Sequence, residues 1–500
     1  MSDGQELQVY ETGWSPNEIF DKFRTFYEEE VSHKAITRLS FLEHLTYLLF
    51  LKVDHERSQQ RSGLFAQAYQ PVVEREHGWT TITGIAGVEL RKQFTQILRE
   101  LGKLPGRGAH AELSTTRAIF RDAQPWNERE MADLSKLIND QIADHHWSAR
   151  LNAVGHAYEL LIEYCAGEID KKRSTGQVVT PRPLLTAIAR AMDISAQDVV
   201  IDPAAGTGGC LLAAFQEMAA SAVGPLPEDA YAGADRDPQM VRIATMNVLL
   251  NTRRPFHALA PVLHLDSLER GGAVIPRPAG AREDRLVVIC NPPFRSTTPI
   301  PEGRQDLPAK TPNFPANFLQ HIAATLPLGG RAAVFVPVNV LTNPTSGAVL
   351  RSLMATCDVH TLLRLPPGTF RNGTTQSNIQ ANVVFFTKTG PRPDGSSATE
   401  ELWIYDARDL ASRGLSEEAL DAFVTAYLPT EPPAKRVASE VFGRYPYNFL
   451  EDRAFQLYDL YAVPEAEPEP LRPAREIAAE ISEDLAEAQR VFSKLADQLP

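Results

Sequence analysis

The sequence predicts an α/β protein with a doubly wound, mostly parallel sheet, an N-terminal helical domain and a C-terminal helical tail. From about residue 174 onward, short apolar runs alternate with helical stretches, which is typical of parallel strands joined by crossover helices. These runs show little alternation of polar and apolar residues, as expected of strands covered on both faces. A chain of 500 residues also exceeds the usual size of one hydrophobic core, so two or three domains are expected.

The first domain, residues 1–150, is predicted to be helical. The 3.6-residue period of a helix is followed by Phe41, Leu45, Leu48, Leu49 and Lys52. The stretch Glu128–Trp147 has a similar pattern.

The second domain, residues 151–450, is predicted to contain the sheet. Helices are expected at Gly209–Ala222 and Pro238–Leu250, between the early strands. The predicted strands are Val199–Asp202, Tyr231–Asp235, Val262–Asp266, Leu286–Cys290, Ala332–Pro337, His360–Leu365 and Ala381–Phe386.

The last 50 residues, 451–500, are predicted to form a linker and a helix that contacts a partner. The stretch Pro464–Pro473 is rich in proline and glutamate and favours an extended linker. Beyond it, apolar residues recur at steps of three and four, a heptad-like stripe that can pack on a partner helix or on the chain's own domain. The stripe comprises Ile477, Ile481, Leu485, Ala488, Val491, Leu495 and Leu499.

The composition indicates a cytoplasmic protein. The four cysteines form neither a CxxC motif nor a Cys/His cluster, so we expect no structural zinc, no other metal and no disulfide scaffold. The polar, acidic start Met1–Tyr10 is unlike a signal peptide. The most apolar run, Leu45–Leu51, is too short to span a bilayer, so no membrane contact is expected.

A glycine-rich turn follows the first predicted strand, in the sequence Val199-Val200-Ile201-Asp202-Pro203-Ala204-Ala205-Gly206-Thr207-Gly208-Gly209. Glycines let the backbone pass close to a ligand, and the following helix offers free N–H groups at its start. The alternative is that this segment is a plain tight turn with no ligand. If the segment is a ligand site, the residues that bind a cofactor would be Asp202, Ala204, Gly206, Thr207, Gly208 and Gly209.

The second and third predicted strands also end in carboxylates. Asp235, at the tip of the second strand, is placed to accept both hydroxyl groups of a ribose, as in dinucleotide-binding folds. Asp266 ends the third strand and could receive the amino group of a cofactor's adenine. Asp237 better suits the N-cap of the next helix.

The most specific motif is Asn291-Pro292-Pro293-Phe294, directly after the fourth predicted strand. An exocyclic amino group of a nucleobase is a poor nucleophile because its lone pair is delocalised into the ring. The Asn291 carboxamide oxygen and the Pro292 carbonyl can each accept one of its N–H bonds and localise that pair. Pro292 and Pro293 stiffen the backbone, so these acceptors are preorganised. The ring of Phe294 offers a face on which a flipped base can stack.

With these motifs in place, the sequence resembles the modification subunits of type I restriction–modification systems, which are gamma-class N6-adenine DNA methyltransferases. The resemblance covers roughly residues 35–450 and includes the helical region around Arg38–Asp54. Further matching segments are Gly176-Gln177-Val178-Val179-Thr180-Pro181-Arg182, Asn317-Phe318-Leu319-Gln320-His321, Gly329-Gly330-Arg331-Ala332-Ala333-Val334 and Arg364-Leu365-Pro366-Pro367-Gly368-Thr369-Phe370.

The resemblance implies a class I methyltransferase fold and S-adenosyl-L-methionine as the cofactor. It also implies that Gln177, Val178, Val179, Thr180, Pro181 and Arg182 grip this cofactor. The implied partners are double-stranded DNA and a specificity subunit, with a second copy of the chain and a restriction nuclease subunit as further candidates. The sequence departs from the family at Val178 and Val179, where aromatic residues are usual, at Ala205, which is often Cys, and at Asp235, which is usually Glu.

Two other functions are compatible with these motifs. The same Asn-Pro-Pro-aromatic chemistry serves N-methyltransferases that act on RNA or on a protein glutamine. A catalytically silent adaptor that binds cofactor and DNA is the other alternative, although the intact Asn291 and Phe294 argue against it. The net charge of −13 favours a partner subunit that supplies part of the contact with DNA phosphates.

Overall fold

A computed structural model describes residues 14–59, 71–104, 113–172, 179–269, 280–294, 306–342, 344–372, 380–412, 415–428 and 436–457, with isolated positions between and beyond these ranges. The predicted linker Pro464–Pro473 and all seven residues of the heptad-like stripe lie outside the described residues, as do Gln177 and Val178.

The N-terminal part of the chain is helical. Ser15 begins the first helix with a capping box: its hydroxyl accepts a hydrogen bond from the Glu18 amide, and the Glu18 carboxylate accepts one from the Ser15 amide. The stretch predicted at Glu128–Trp147 forms α5 and further short helical turns. The helices are α1 (Pro16–Phe26), α2 (Arg38–Gln59), α3 (Gly87–Lys103), α4 (Thr115–Phe120), α5 (Met131–Lys136) and α6 (Leu151–Lys172).

The following part of the chain alternates between strands and helices. Its strands are β1 (Val199–Asp202), β2 (Tyr231–Asp235), β3 (Val262–His264), β4 (Leu286–Cys290), β5 (Arg331–Pro337), β6 (Cys357–Arg364), β7 (Arg371–Asn372), β8 (Thr375–Gln376), β9 (Ala381–Lys388), β10 (Glu401–Asp406) and β11 (Phe442–Pro446). Its helices are α7 (Arg182–Ala191), α8 (Gly209–Ala220), α9 (Pro238–Thr252), α10 (Phe314–Thr325), α11 (Pro344–Thr356), α12 (Glu417–Tyr427) and α13 (Tyr447–Asp452).

Nine of these strands form one sheet in the order β11-β10-β6-β9-β5-β4-β1-β2-β3. Neighbouring strands run parallel from β5 to β3, and β10 runs parallel to β6. Strand β9 lies between β5 and β6 and is antiparallel to both, and β11 is antiparallel to β10. The prediction of a mostly parallel sheet is therefore confirmed.

Helices cover both faces of this sheet, which confirms the doubly wound arrangement. Successive side chains of a strand point to opposite faces. In β1, Val200 packs with α7, α8 and α9 on one face, whereas Val199 and Ile201 pack with α10 and α11 on the other. Strands buried on both faces need apolar side chains at every position, which explains the unbroken apolar runs in the sequence.

Helix α9 joins the helical region to the sheet. Its residues Met240, Ile243 and Leu249 belong to the core of the helical region, whereas Val241 and Val248 belong to the core beside the sheet. Every residue of α9 from Met240 to Leu250 is buried, so the helix is covered on all sides.

One buried arginine fastens α9 to the helical region. Arg242 is 5% exposed and forms an ion pair with Glu43 of α2. Its guanidinium also donates to the carbonyl oxygens of Ile119 (2.5 Å) and Arg121 (2.7 Å). A buried cation whose hydrogen bonds are satisfied in this manner holds the helices in one relative position.

None of the helices in the described part of the chain combines the length and the apolar composition that crossing a lipid bilayer requires.

Replacing Arg242 with Met should destabilise the protein, because Glu43 would lose its ion-pair partner and two carbonyl groups would lose the hydrogen bonds that Arg242 donates. Breaking a buried ion pair costs about 3–5 kcal/mol, and the loss should lie near the lower end because the Glu43 side chain is 17% exposed. Urea denaturation followed by circular dichroism measures the change. The control is Arg282→Met, which removes an exposed ion pair with Asp284 and should leave the midpoint unchanged. Equal midpoints for the two variants would contradict the role given to Arg242.

Candidate functional site

A cleft lies at the carboxyl ends of β1 and β4. The carboxyl ends of parallel strands lie at the same end of a sheet. The polar residues that follow β1 and β4 therefore come together here. The cleft is lined by Val179, Thr180, Leu185, Asp202, Ala204, Ala205, Gly206, Thr207, Gly209, Cys210, Met240 and Asn291.

The glycine-rich loop after β1 depends on two left-handed backbone conformations. Gly206 has φ +54° and Gly208 has φ +84°, values that side-chain-bearing residues rarely adopt. A Cβ atom at Gly208 would also lie 3.2 Å from Val248 of α9. The loop therefore needs glycine both for its conformation and for its close approach to α9.

Asp235 at the end of β2 braces this loop. One carboxylate oxygen accepts from the Gly206 amide (3.0 Å) and the other from the Asp237 amide (2.8 Å). Asp235 is 4% exposed and does not line the cleft. Contact with the ribose of a cofactor remains a prediction for this residue.

Helix α9 supports the loop from the other side. The Asn247 side chain donates to the carbonyl oxygen of Thr207 at 3.0 Å. Asp237 accepts from the amides of Gln239 (2.7 Å) and Met240 (3.4 Å), which confirms it as the N-cap of α9. The start of α9 is thereby fixed next to the loop.

Asp202 is buried beneath the loop. Its carboxylate accepts from the Ala204 amide at 3.0 Å, and it is 1% exposed. Burial raises the pKa of Asp202 to about 7. Hydrogen bonds from the Ala204 amide and from the thiols of Cys210 and Cys290 act in the opposite direction and lower this pKa. A carboxyl group in such surroundings is costly to ionise.

Asn291 follows β4 and lines the cleft together with residues of the loop. Its Nδ2 donates to the hydroxyl oxygen of Thr180 at 2.7 Å. Its Oδ1 is buried and has no hydrogen-bond partner among the residues that the structure describes. An unpaired buried acceptor is costly, and such atoms in native proteins commonly meet a ligand.

The other residues of the Asn-Pro-Pro-Phe motif are buried. Pro292, Pro293 and Phe294 all lie in the interior, and none of them lines the cleft. The Phe294 ring is 6% exposed and packs edge to face against Phe370, with the ring centroids 5.4 Å apart. The stacking role expected of Phe294 stays a prediction, and it would require the ring to become accessible.

The segment ahead of the sheet contributes two residues to the cleft, Val179 and Thr180. Pro181 is the N-cap of α7, and the guanidinium of Arg182 pairs with Glu159 of α6. Arg182 therefore ties this segment to the helical region, and it does not line the cleft.

Asp266 lies two residues beyond the end of β3 and outside the cleft lining. It is half-buried, and its carboxylate accepts from the Leu268 amide at 3.0 Å. Contact with a cofactor's adenine remains a prediction for this residue.

Four residues of the cleft were not predicted from the sequence: Leu185, Ala205, Cys210 and Met240. Ala205 belongs to the glycine-rich loop, and Cys210 belongs to the helix that follows it. Their positions next to Ala204 and Gly209 in the sequence could have identified them as cleft residues. A Cβ atom at Gly209 would lie 3.0 Å from the Leu185 side chain, a contact between distant segments that no local pattern encodes.

Comparison with known proteins places this chain among methylases. Residues 149–432 match the family model described as N-6 DNA Methylase. The methylase subunit of type I restriction enzyme StySPI from Salmonella potsdam is 31% identical over 79% of this chain and 73% of that protein. The corresponding subunit of EcoKI from Escherichia coli is 30% identical, with the same coverage of both proteins.

Solved structures share the fold. A chain from a type I R-M system has a TM-score of 0.67 and 23% identity, covering 96% of this chain and 97% of that one. A type I restriction-modification system methyltransferase subunit from Streptococcus thermophilus has a TM-score of 0.64 and 15% identity, covering 89% of this chain and 99% of that one.

Replacing Asp202 with Asn should change how stability depends on pH. The folded pKa of about 7 exceeds the unfolded value of about 3.9, so the folded state binds its proton more tightly. The stability of the wild type relative to Asp202→Asn should therefore fall as the pH rises between about 4 and 7, by at most about 1.4 kcal/mol per pH unit. Urea denaturation of both proteins from pH 5 to pH 8 tests this, and a stability difference that is constant with pH would contradict it.

Proposed function

This chain belongs to the N-6 DNA Methylase family, and from that membership we propose that it transfers a methyl group to N6 of a flipped adenine in double-stranded DNA. In this proposal it serves as the modification subunit of a restriction–modification or related defence complex. The similarity to methylase subunits of type I restriction enzymes over most of the chain supports that assignment.

The buried, unpaired Oδ1 atom of Asn291 is the observation that carries the proposal. A buried acceptor on a residue that lines the cleft, with its neighbouring Nδ2 already occupied, suits a ligand that brings an N–H group. The exocyclic amino group of adenine has two such bonds. Asn291 Oδ1 would accept one of them and the Pro292 carbonyl the other.

Accepting both protons makes the amino nitrogen a better nucleophile. Its lone pair is then withdrawn from the ring and directed toward the methyl donor. The hydrogen bond of Asn291 Nδ2 to Thr180 and the stiffness of the buried Pro292 and Pro293 would keep the two acceptors in place, so little reorganisation would be needed during the reaction. What remains for the protein is to hold donor and acceptor in line.

We propose S-adenosyl-L-methionine as the cofactor, which supplies an electrophilic methyl group when bound. The left-handed glycines Gly206 and Gly208 let the loop backbone pass close to such a ligand. Val179 and Thr180 line the same cleft. In this proposal Asp235 would bind its ribose and Asp266 would bind its adenine.

The partners proposed for the chain are double-stranded DNA, a specificity subunit, a second copy of the chain and a restriction nuclease subunit. The names of the similar proteins support this, since they are methylase subunits of type I restriction enzymes. The net charge of −13 supports it as well, because an acidic chain needs help to bind a polyanion.

Transfer of a radiolabelled methyl group from S-adenosyl-L-methionine tests the proposal directly. DNA, RNA and total protein are offered in parallel to the full chain, alone and with its co-expressed partner. Label in N6-methyladenine of DNA supports the proposal. Label in RNA or in a protein glutamine would show that the substrate is RNA or protein and not DNA. Absence of label with intact cofactor binding would indicate a catalytically silent adaptor.

Replacing Asn291 with Ala should abolish transfer while leaving cofactor affinity close to that of the wild type. Loss of one preorganised hydrogen-bonding group should lower the rate on the order of 10²-fold or more. Calorimetry with S-adenosyl-L-methionine and a turnover assay measure the two effects. The control is Asn152→Ala, an exposed asparagine on α6. Near-normal turnover of the Asn291 variant would refute the assignment.

Site-specific methylation should require a specificity subunit, and the isolated chain should bind DNA weakly and without sequence preference. Deleting residues 474–500 should impair assembly but not cofactor binding, because an isolated amphipathic helix is marginal in water and needs a partner. Size-exclusion chromatography with the co-expressed partner measures assembly.

The control for the deletion is Gln489→Glu, since Gln489 is exposed and off the stripe. Normal assembly of the truncated chain would refute the role of the tail. Robust site-specific methylation by the chain alone would refute the dependence on a partner.

A further inference from the structure

A buried hydroxyl ties the start of the glycine-rich loop to a distant part of the chain. Ser267 follows β3, and its Oγ lies 2.6 Å from the carbonyl oxygen of Pro203. A carbonyl oxygen can only accept and proline has no N–H group, so Ser267 is the donor and the direction of this bond is fixed. Ser267 is 3% exposed and does not line the cleft.

This bond adds a third strand to those that hold the loop. The Ala205 amide donates to the carbonyl oxygen of Ala234 in β2 at 2.9 Å. The Gly206 amide donates to the carboxylate of Asp235 at the end of β2. Because the loop itself continues from β1, these contacts join it to β1 and β2, and Ser267 joins it to the segment that follows β3.

The backbone of Ser267 is held in turn by Arg304. Nη1 of this arginine donates to the Ser267 carbonyl at 3.4 Å, whereas Nε and Nη2 donate to the two carboxylate oxygens of Asp306, both at 2.8 Å. The Arg304 side chain is fully buried. A guanidinium presents its donors in a planar fork, so the pairing with Asp306 also fixes the direction in which Nη1 points.

Helix α10 supplies the support for Arg304. Nη2 of Arg304 lies 3.1 Å from Nδ1 of His321. Burial and the nearby Arg304 lower the pKa of His321 to about 4, so the ring is uncharged at neutral pH and Nδ1 can accept from the guanidinium. The neighbouring Gln320 exchanges two hydrogen bonds with the backbone of Ala309, at 2.8 and 3.0 Å. Gln320 and His321 thus hold the chain that leads from Arg304 into α10.

The Ser267–Pro203 bond joins two segments to which the cofactor is proposed to bind. Pro203 directly precedes Ala204, which lines the cleft together with Gly206. Ser267 directly follows Asp266, the residue proposed to bind the adenine of the cofactor. A change in the distance between these two segments would therefore change how well the ligand fits between them.

We propose that Ser267 is a positioning residue for S-adenosyl-L-methionine, which holds the glycine-rich loop at a fixed distance from the segment after β3 and which depends on Arg304 for its own position. The inference rests on the cofactor named in the proposed function. Neither residue needs to touch the cofactor. A site whose parts are already held in place loses less conformational entropy when the ligand binds, and this raises affinity.

Replacing Ser267 with Ala tests the proposal because it removes the hydroxyl and little else. The Kd for S-adenosyl-L-methionine, measured by calorimetry on the full chain, should rise about 3- to 10-fold, the effect of losing one hydrogen bond. The kcat for DNA at saturating cofactor, measured in the complex in which the wild type is active, should stay within about twofold, because Ser267 is proposed to act on binding and not on the reaction.

Replacing Arg304 with Lys tests the dependence of Ser267 on Arg304. Lysine keeps a positive charge beside Asp306 but lacks the planar fork that also reaches Ser267 and His321. This variant should weaken cofactor binding by a similar factor. Because it acts through Ser267, the double variant should have a Kd within about twofold of the weaker single variant, whereas independent effects would multiply.

The matched control is Ser397→Ala, which removes a half-buried hydroxyl that donates to the Met354 carbonyl at 2.9 Å, away from the cleft lining. Its Kd for S-adenosyl-L-methionine should equal that of the wild type. Urea denaturation of each variant establishes that the protein is folded under the conditions of the calorimetry, so a change in Kd reports on the site and not on unfolding.

The results distinguish this inference from the function on which it rests. A wild type that binds S-adenosyl-L-methionine but does not methylate DNA refutes the proposed function, and the Kd of Ser267→Ala then still decides the role of Ser267. With a wild type that binds the cofactor, a rise in Kd below about threefold for Ser267→Ala refutes the positioning role. A loss of kcat at saturating cofactor as large as the rise in Kd also refutes it, and effects that multiply in the double variant refute the dependence on Arg304.

Discussion

The burial of α9 between two hydrophobic cores is the constraint on which the rest of this structure depends. One side of the helix packs into the helical region, where Arg242 is held by Glu43 and two carbonyl groups. The other side packs beside the sheet and supports the glycine-rich loop through Asn247 and Val248. A shift of the helical region would therefore move the loop, so the geometry of the cleft is set by both parts of the chain.

The central sheet could be predicted from the sequence because its strands are buried on both faces and appear as short apolar runs. The bounds of β1, β2 and β4 were predicted correctly. Strand β11 was missed because it contains glycine and ends in Pro446, so it lacks an apolar run. Strand β10 was missed although Leu402–Tyr405 is a buried apolar run like those of the other strands, paired on both sides.

Within the cleft, the sequence could identify residues whose roles follow from local chemistry. The glycine-rich loop and Asn291 stand directly after strands, and strand ends are where ligands bind in such sheets. The sequence could not show that Thr180 touches Asn291, that Arg182 turns to Glu159, or that Phe294 is buried. Those facts depend on how distant segments pack, and no short-range pattern encodes them.

The antiparallel strand β9 also sets the order in which the protein can be completed. β6 precedes β9 in the chain but pairs with β10 on one side and with β9 on the other, and β9 alone connects it to β5. Until residue 388 has left the ribosome, β5 and β6 both present open edges to the cell. Unpaired edges are sites of aggregation, so the nascent chain passes through a vulnerable stage. β9 closes the gap between β5 and β6, and the other edge of β6 stays open until β10 follows.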